Sequence, residues 1–169
     1  LAVDLYDGQV AALTDPERAG SLMAGLNFVV ATQKTVVAAG RFLRATGSAK
    51  VGLTGYCMGG AITVLGAALA GAEFQAAVSY YGIPPQGAYD LQGIVNPLMG
   101  HFALRDEYFT IDQVDALDAA LTAAGKPHEF HRYDADHAFC NENRPEVFNA
   151  ACRDLADQRT LEFFVCFLK

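Results

Sequence analysis

Lys50-Val51-Gly52-Leu53-Thr54-Gly55-Tyr56-Cys57-Met58-Gly59-Gly60 runs directly into Ala61-Ile62-Thr63-Val64-Leu65-Gly66-Ala67-Ala68. An apolar run, a glycine-rich turn and a small-residue run at helical spacing predict a strand, a very tight turn and a helix, with a thiol at the apex. The turn has the Gly-x-nucleophile-x-Gly form of a nucleophile elbow, with Cys57 where serine is usual. Gly55 and Gly59, two residues before and after the apex, are expected to let strand and helix approach without Cβ clashes. The apex residue is expected to be strained, its side chain exposed above the sheet. The backbone N–H of Met58 is then placed to face a developing oxyanion. A glycine-rich turn around a small buried cysteine has the same pattern, so residues elsewhere must decide.

Outward from the elbow, strands alternate with helices. Ala2–Tyr6 is predicted as a short strand ending at Asp7-Gly8. Asp15-Pro16-Glu17-Arg18 has the form of a helix start, with Asp15 as cap and Pro16 at the first helical position. Apolar residues from Leu22 to about Ala45 recur at helical spacing, predicting one or two helices stopped at Thr46-Gly47. Val51–Thr54 is the elbow strand and Ile62–Leu69 the helix after it. Further strands are predicted at Gln75–Tyr81, Pro97–Ala103 and His128–Tyr133, and helices at Gln113–Ala124 and Glu146–Leu168. Near-continuous apolar strands between helices predict a three-layer α/β/α domain with a mostly parallel sheet over residues 1–169. No internal repeat, low-complexity segment or interdomain linker breaks it.

The composition sets limits. The 169 residues suffice for one domain with a real core, and 52% hydrophobic with 18% charged residues describes a globular chain. A net charge of −7 without a basic stripe argues against nucleic acid, and no apolar run of about 18 residues suggests a membrane span. Leu1-Ala2-Val3-Asp4-Leu5-Tyr6 lacks the features of a signal peptide and an initiator Met, and reads as the middle of a strand, so residues are expected to precede it. Cys57, Cys140, Cys152 and Cys166 show no CxxC pairing, which suits reduced thiols in a cytoplasmic protein. His128 and His131, three apart on a strand, point to opposite faces and suit a metal poorly. Neither metal nor cofactor is expected.

In open α/β sheets, sites form beyond the carboxyl ends of strands. Leu104-Arg105-Asp106-Glu107 follows one predicted strand, and Asp134-Ala135-Asp136-His137-Ala138-Phe139 follows another. With Cys57 these supply a thiol, an acid and a histidine, each past its own strand. A thiol attacks well only as thiolate. His137 would accept or share its proton and later protonate a leaving group. Asp106 would hold the other imidazole nitrogen. Asp112 and Asp136 are alternatives for the acid. The helix after the elbow favours a thiolate at its N-terminus.

With these residues in place, the chain resembles the dienelactone hydrolase (carboxymethylenebutenolidase) family of α/β-hydrolases. The resemblance rests on Asp4-Leu5-Tyr6-Asp7-Gly8, Lys50 through Gly60, Tyr80-Tyr81-Gly82, Asp106, His137-Ala138-Phe139, Asn143-Arg144-Pro145 and Arg159-Thr160-Leu161-Glu162-Phe163-Phe164. It implies a Cys57–His137–Asp106 triad that cleaves a small lactone or ester through an acyl-enzyme thioester without a cofactor. Dienelactone in chlorinated-aromatic breakdown is one such substrate. It also implies a monomer in full-length form, acting on a small molecule rather than a nucleic acid or membrane.

Two departures bear on that expectation. Family members carry strands before the one resembling Ala2–Tyr6, including a central strand beside the elbow strand. The loop after it supplies a second oxyanion N–H and a glutamate that partners the thiol. The chain is therefore expected to be an N-terminally truncated domain that folds poorly and has little activity alone. Family enzymes also grip the dienelactone carboxylate with arginines. Arg18 is near the position of one, and Tyr81 is a second candidate for substrate binding. The other arginine would fall at position 141, which is Asn141. Arg144 could substitute or form a helix-start salt bridge. The alternative, from another class, is a non-catalytic chain of this fold that binds a small molecule or partner through the cleft. A redox-sensing thiol is a third, without a resolving cysteine nearby in sequence.

Overall fold

The computed structural model describes residues 1–12, 14–85 and 87–169. Its strands β1 (Gly52–Tyr56), β2 (Ala76–Tyr80), β3 (Leu98–Arg105) and β4 (His128–Asp136) form one parallel sheet in the order β1-β2-β3-β4. Parallel neighbours need crossovers. α4 (Met58–Leu69) joins β1 to β2, a loop with a 3-10 turn at Leu91–Gly93 joins β2 to β3, and α5 (Ile111–Ala123) joins β3 to β4. Before the sheet come α1 (Pro16–Gly25), α2 (Phe28–Ala31) and α3 (Val37–Ala45), and α6 (Ala150–Leu168) closes the chain.

Side-chain alternation along β2 builds the three layers. Ala76, Val78 and Tyr80 pack with Phe163 of α6 on one face. Ala77 packs on the other with Val64 of α4 and Leu117 and Leu121 of α5. Every residue of β2 is buried, as expected of a strand covered on both faces. A third cluster, with Val36, Val51, Ile62 and Phe74, seats the α2–α3 segment against α4.

Beneath α6 the sheet carries a buried polar layer. The wholly buried His101 bonds Tyr133 OH through Nδ1 (2.8 Å) and Thr160 Oγ1 through Nε2 (2.9 Å). Thr160 Oγ1 also meets Tyr80 OH at 2.6 Å, and Arg159 donates to Tyr133 OH at 3.1 Å. Burial, then repulsion from His131 when protonated and from the Arg159 charge, lowers the His101 pKa to about 3, so the ring is neutral and its bonds hold α6 on the sheet. His128 faces the opposite side, toward Asp118 of α5 (2.8 Å), while His131 stacks on His101.

Beyond shifts of a few residues at element ends, such as α4 starting at Met58 rather than Ile62, the elements differ from the sequence-based expectation in four places. Ala2–Tyr6 is not a strand. The Asp4 carboxylate accepts from the N–H of Tyr6 (2.9 Å) and of Gly8 (2.6 Å), and Asp7 and Gly8 take positive φ. These local bonds compete with any ladder. The stretch from Leu22 to Ala45 breaks at Leu26-Asn27, where Asn27 caps Val30 N–H (3.0 Å). It widens into a π-helical turn at Thr32–Val36, beginning where the Thr32 hydroxyl bonds back to Phe28 O (2.7 Å). The last helix starts at Ala150 rather than Glu146, capped by Asn149 on Cys152 N–H (3.1 Å). The strands before Asp106 and His137 run on to Arg105 and Asp136, paired with each other in register and through their side chains. Both candidate residues therefore follow their strands immediately.

Candidate active site

β1 stops at Tyr56 and α4 starts at Met58, which leaves Cys57 alone at the apex with φ 55° and ψ −119°. Positive φ is costly for a residue with a Cβ and persists only where the surroundings over-determine it. Here they do. Cys57 N–H donates to Tyr80 O (2.9 Å) and Cys57 O accepts from Ala61 N–H (3.1 Å), so β2 and α4 grip the apex from both sides.

The glycines share the turn differently from the symmetric pattern. A Cβ on Gly55 would run into Gly59 O, whereas one on Gly59 would meet open space. The close approach on the helix side belongs to Gly60, where a Cβ would lie 2.7 Å from Tyr80 O. Gly82 also backs onto the elbow, for a Cβ there would strike Cys57 O. Gly59→Ala is accordingly expected to keep wild-type stability or gain a few tenths of a kcal/mol from helix propensity, while Gly60→Ala loses about 2–3 kcal/mol. Urea melts of the two variants check this; equal midpoints would contradict it.

The structure brings Cys57, His137 and Asp106 together. His137 Nε2 lies 3.2 Å from Cys57 Sγ, and His137 Nδ1 lies 2.7 Å from Asp106 Oδ2. The other Asp106 oxygen accepts from the N–H groups of Tyr108 (2.8 Å) and Phe109 (2.9 Å). With a side chain only 1% exposed, this carboxylate has both oxygens engaged as acceptors. The alternatives for the acid are placed elsewhere: Asp136 pairs with Arg105 and Asp112 lies in the exposed first turn of α5.

The electrostatics of the pair follow from this geometry. The hydrogen bond from His137 lowers the Cys57 pKa against the opposing effect of burial, helped by the histidine's charge and the Met58 backbone N–H. Burial alone would lower His137. The hydrogen bonds and charges of Asp106 and Cys57 outweigh it and raise its pKa to about 9. The arrangement thus favours passing the thiol proton to the imidazole, which gives a thiolate beside an imidazolium.

Aromatic rings wall in His137: Tyr81 at 5.1 Å, Tyr108 at 4.9 Å and Phe109 at 5.9 Å between ring centroids. Tyr81 is 3% exposed, takes φ 39°, and turns its hydroxyl toward Cys140. Its buried ring meets the His137 imidazole edge-on. Arg18 stands exposed in the first turn of α1 and donates to Gln9 Oε1 (2.7 Å). No hydrogen bond or ion pair among the described residues joins it to the Cys57–His137 pair. Arg144 forms the local salt bridge, to Glu146 at 2.8 Å.

Tyr108 and Phe109 escape sequence reasoning, although an aspartate two and three residues before them is the signal of a turn that its side chain closes. Both rings also line a cavity of about 610 Å³ beside the pair, with Ile83, Tyr89, Leu91 and Ala120 among its other walls.

Comparison with known proteins places this geometry in context. A family model described as the dienelactone hydrolase family matches residues 1–168. Protein usf of Aquifex pyrophilus is 30% identical over 173 residues, covering 99% of this chain and 74% of that protein. Carboxymethylenebutenolidase 1 of Cupriavidus pinatubonensis is 31% identical over 114 residues, covering 67% of this chain and 47% of that enzyme. Among solved structures, the dienelactone hydrolase-like promiscuous phosphotriesterase P91 from metagenomic libraries superposes with a TM-score of 0.79 at 20% identity. That match covers 96% of this chain and 72% of P91, and shows a shared α/β-hydrolase fold.

Proposed function

The chain belongs to the dienelactone hydrolase family, which makes it a lactone or ester hydrolase, and we propose that it works through Cys57, His137 and Asp106. The observation that carries this is the unbroken line from Asp106 Oδ2 through the imidazole to Cys57 Sγ, at 2.7 and 3.2 Å.

The Cys57 thiolate attacks the carbonyl carbon, forming a C–S bond as the oxygen takes the negative charge. Met58 N–H, at the start of α4, donates to that oxyanion. The tetrahedral intermediate expels the alkoxide, which takes the His137 proton; from a lactone, this alcohol stays tethered to the acyl group. The now neutral His137 removes a proton from water, the hydroxide adds to the thioester, and the thiolate leaves with the acid product. The ion pair is restored. Asp106 holds Nδ1 throughout, which fixes the tautomer and steadies the imidazolium.

Trapping tests the covalent step directly. Acid quenching during turnover of 4-nitrophenyl acetate is expected to leave one acetyl group on the Cys57 peptide, seen by mass spectrometry. Turnover that leaves only unmodified Cys57 peptide, or acetyl on another residue, counts against the thioester route.

A further inference from the structure

Resting on this hydrolase reading, we propose that the cavity walled by Tyr108 and Phe109 receives the uncharged, apolar alcohol portion of the substrate, of aryl size or larger. Position is the first reason. Two of its walls pack on His137, the group that must protonate the leaving alkoxide. A third, Ile83, follows Gly82, which backs onto Cys57. An alcohol whose oxygen meets His137 Nε2 extends into this space.

Charge is the second reason. Among the described residues no charged side chain lines the cavity, and the amide of Gln113 spends its oxygen on Thr110 N–H (3.0 Å). The charged residues that flank its walls in sequence are all acidic: Asp90, Glu107, Asp112, Asp115 and Asp118. Cations in the vicinity are engaged elsewhere: Lys126 on Gln92 O, Arg105 on Asp134 and Asp136, Arg132 on Asp115 and Asp118, and His137 on Asp106. A carboxylate placed in the cavity would lose its hydration without gaining a partner. Size is the third reason. A cavity of about 150 Å³ is enough for a benzene ring, and this one offers about 610 Å³. The pocket is therefore built for a bulkier and less polar group than a small anionic lactone presents.

A matched pair of esters tests this. Methyl 6-acetoxy-2-naphthoate and its free carboxylate, 6-acetoxy-2-naphthoate, differ in charge but share one leaving oxygen, and phenyl acetate serves as the small control. The neutral naphthyl ester is expected to exceed the carboxylate by about tenfold or more in kcat/KM. Ala120→Trp, and Ala116→Phe as a second variant should the first fold poorly, are expected to cut the naphthyl ester by about tenfold while phenyl acetate changes by less than about threefold. Equal rates for the pair, a preference for the carboxylate, or a uniform loss in both variants would overturn the assignment. Binding separates the two levels of inference. Calorimetry of methyl 6-hydroxy-2-naphthoate with Cys57→Ala protein is expected to show binding that Ala120→Trp weakens by about tenfold. Lost turnover with this binding intact refutes the hydrolase reading and leaves the cavity standing. Binding that is absent, or indifferent to Ala120→Trp, refutes the cavity.

Discussion

Cys57→Ala is expected to lower kcat/KM for every ester and lactone the protein cleaves by about 10⁴-fold or more, leaving fold and melting temperature near those of the wild type. The effect is large because no other thiol can take over. Cys140 is pushed up to about 12 chiefly by burial, and burial likewise raises Cys152. Cys166 lies exposed on α6, away from the elbow. Cys57→Ser bears on His137 as well. Serine leaves His137 without the hydrogen bond and charge of Cys57 that help to raise it, so the imidazole gives up its proton more readily than in the wild type. The serine variant is expected to fall by about 10²-fold or more at neutral pH, because a hydroxyl is a poorer nucleophile than a thiolate, and to recover partly as pH rises and any remaining imidazolium becomes neutral. Steady-state kinetics across pH 6–10 give both results. Cys57→Ala protein with more than a tenth of wild-type turnover would remove Cys57 from the mechanism.

The elbow and the two strand ends were readable because each is written in local chemistry: an apolar run, then glycines or polar residues. Their meeting in space follows from the parallel sheet, which brings all carboxyl ends to one side. Four features resisted such reading. The Ala2–Tyr6 segment has the composition of a strand, but Asp4 takes up the N–H of Tyr6 and, just beyond it, that of Gly8 in a local turn. Gly59 fits the motif, yet Gly60 takes the tight contact with β2, a distinction set by how α4 leans on the sheet. The choice of Asp106 over Asp136 depends on Arg105, one residue upstream in β3, which occupies Asp136 across the ladder. Tyr108 and Phe109 are invisible as site residues until the Asp106 turn folds them against His137.

That turn ties the acid to the cavity. One Asp106 oxygen holds the imidazole, while the other holds the backbone of the two residues whose rings cover it and wall the alcohol site. A change at Asp106 therefore reaches both the chemistry and the shape of the pocket, and single-residue kinetics there mix the two.

His137→Ala isolates the chemistry, and its expected effect on the thiol has a definite sign. The hydrogen bond from His137 is the largest cause lowering Cys57, and burial, which raises it, remains when the imidazole is gone. The thiol pKa is then expected to rise to its ordinary value of 9.0 or above. In the wild type, iodoacetamide reactivity of Cys57 should persist below that value. In His137→Ala it should appear only in alkaline solution, with alkylation at pH 7 slower by about tenfold or more. Turnover is expected to fall by about 10³-fold or more, because leaving-group protonation and water activation are lost with the thiolate. The wild-type rate should climb with pH through the lowered Cys57 pKa and decline as His137 loses its proton near pH 9. His137→Ala should lose that alkaline decline altogether, since no group remains there to lose a proton. An alkylation profile that keeps its wild-type midpoint without His137 would show that the thiolate owes its stability to the helix start and Met58 N–H alone, and the pair would cease to be the catalytic unit.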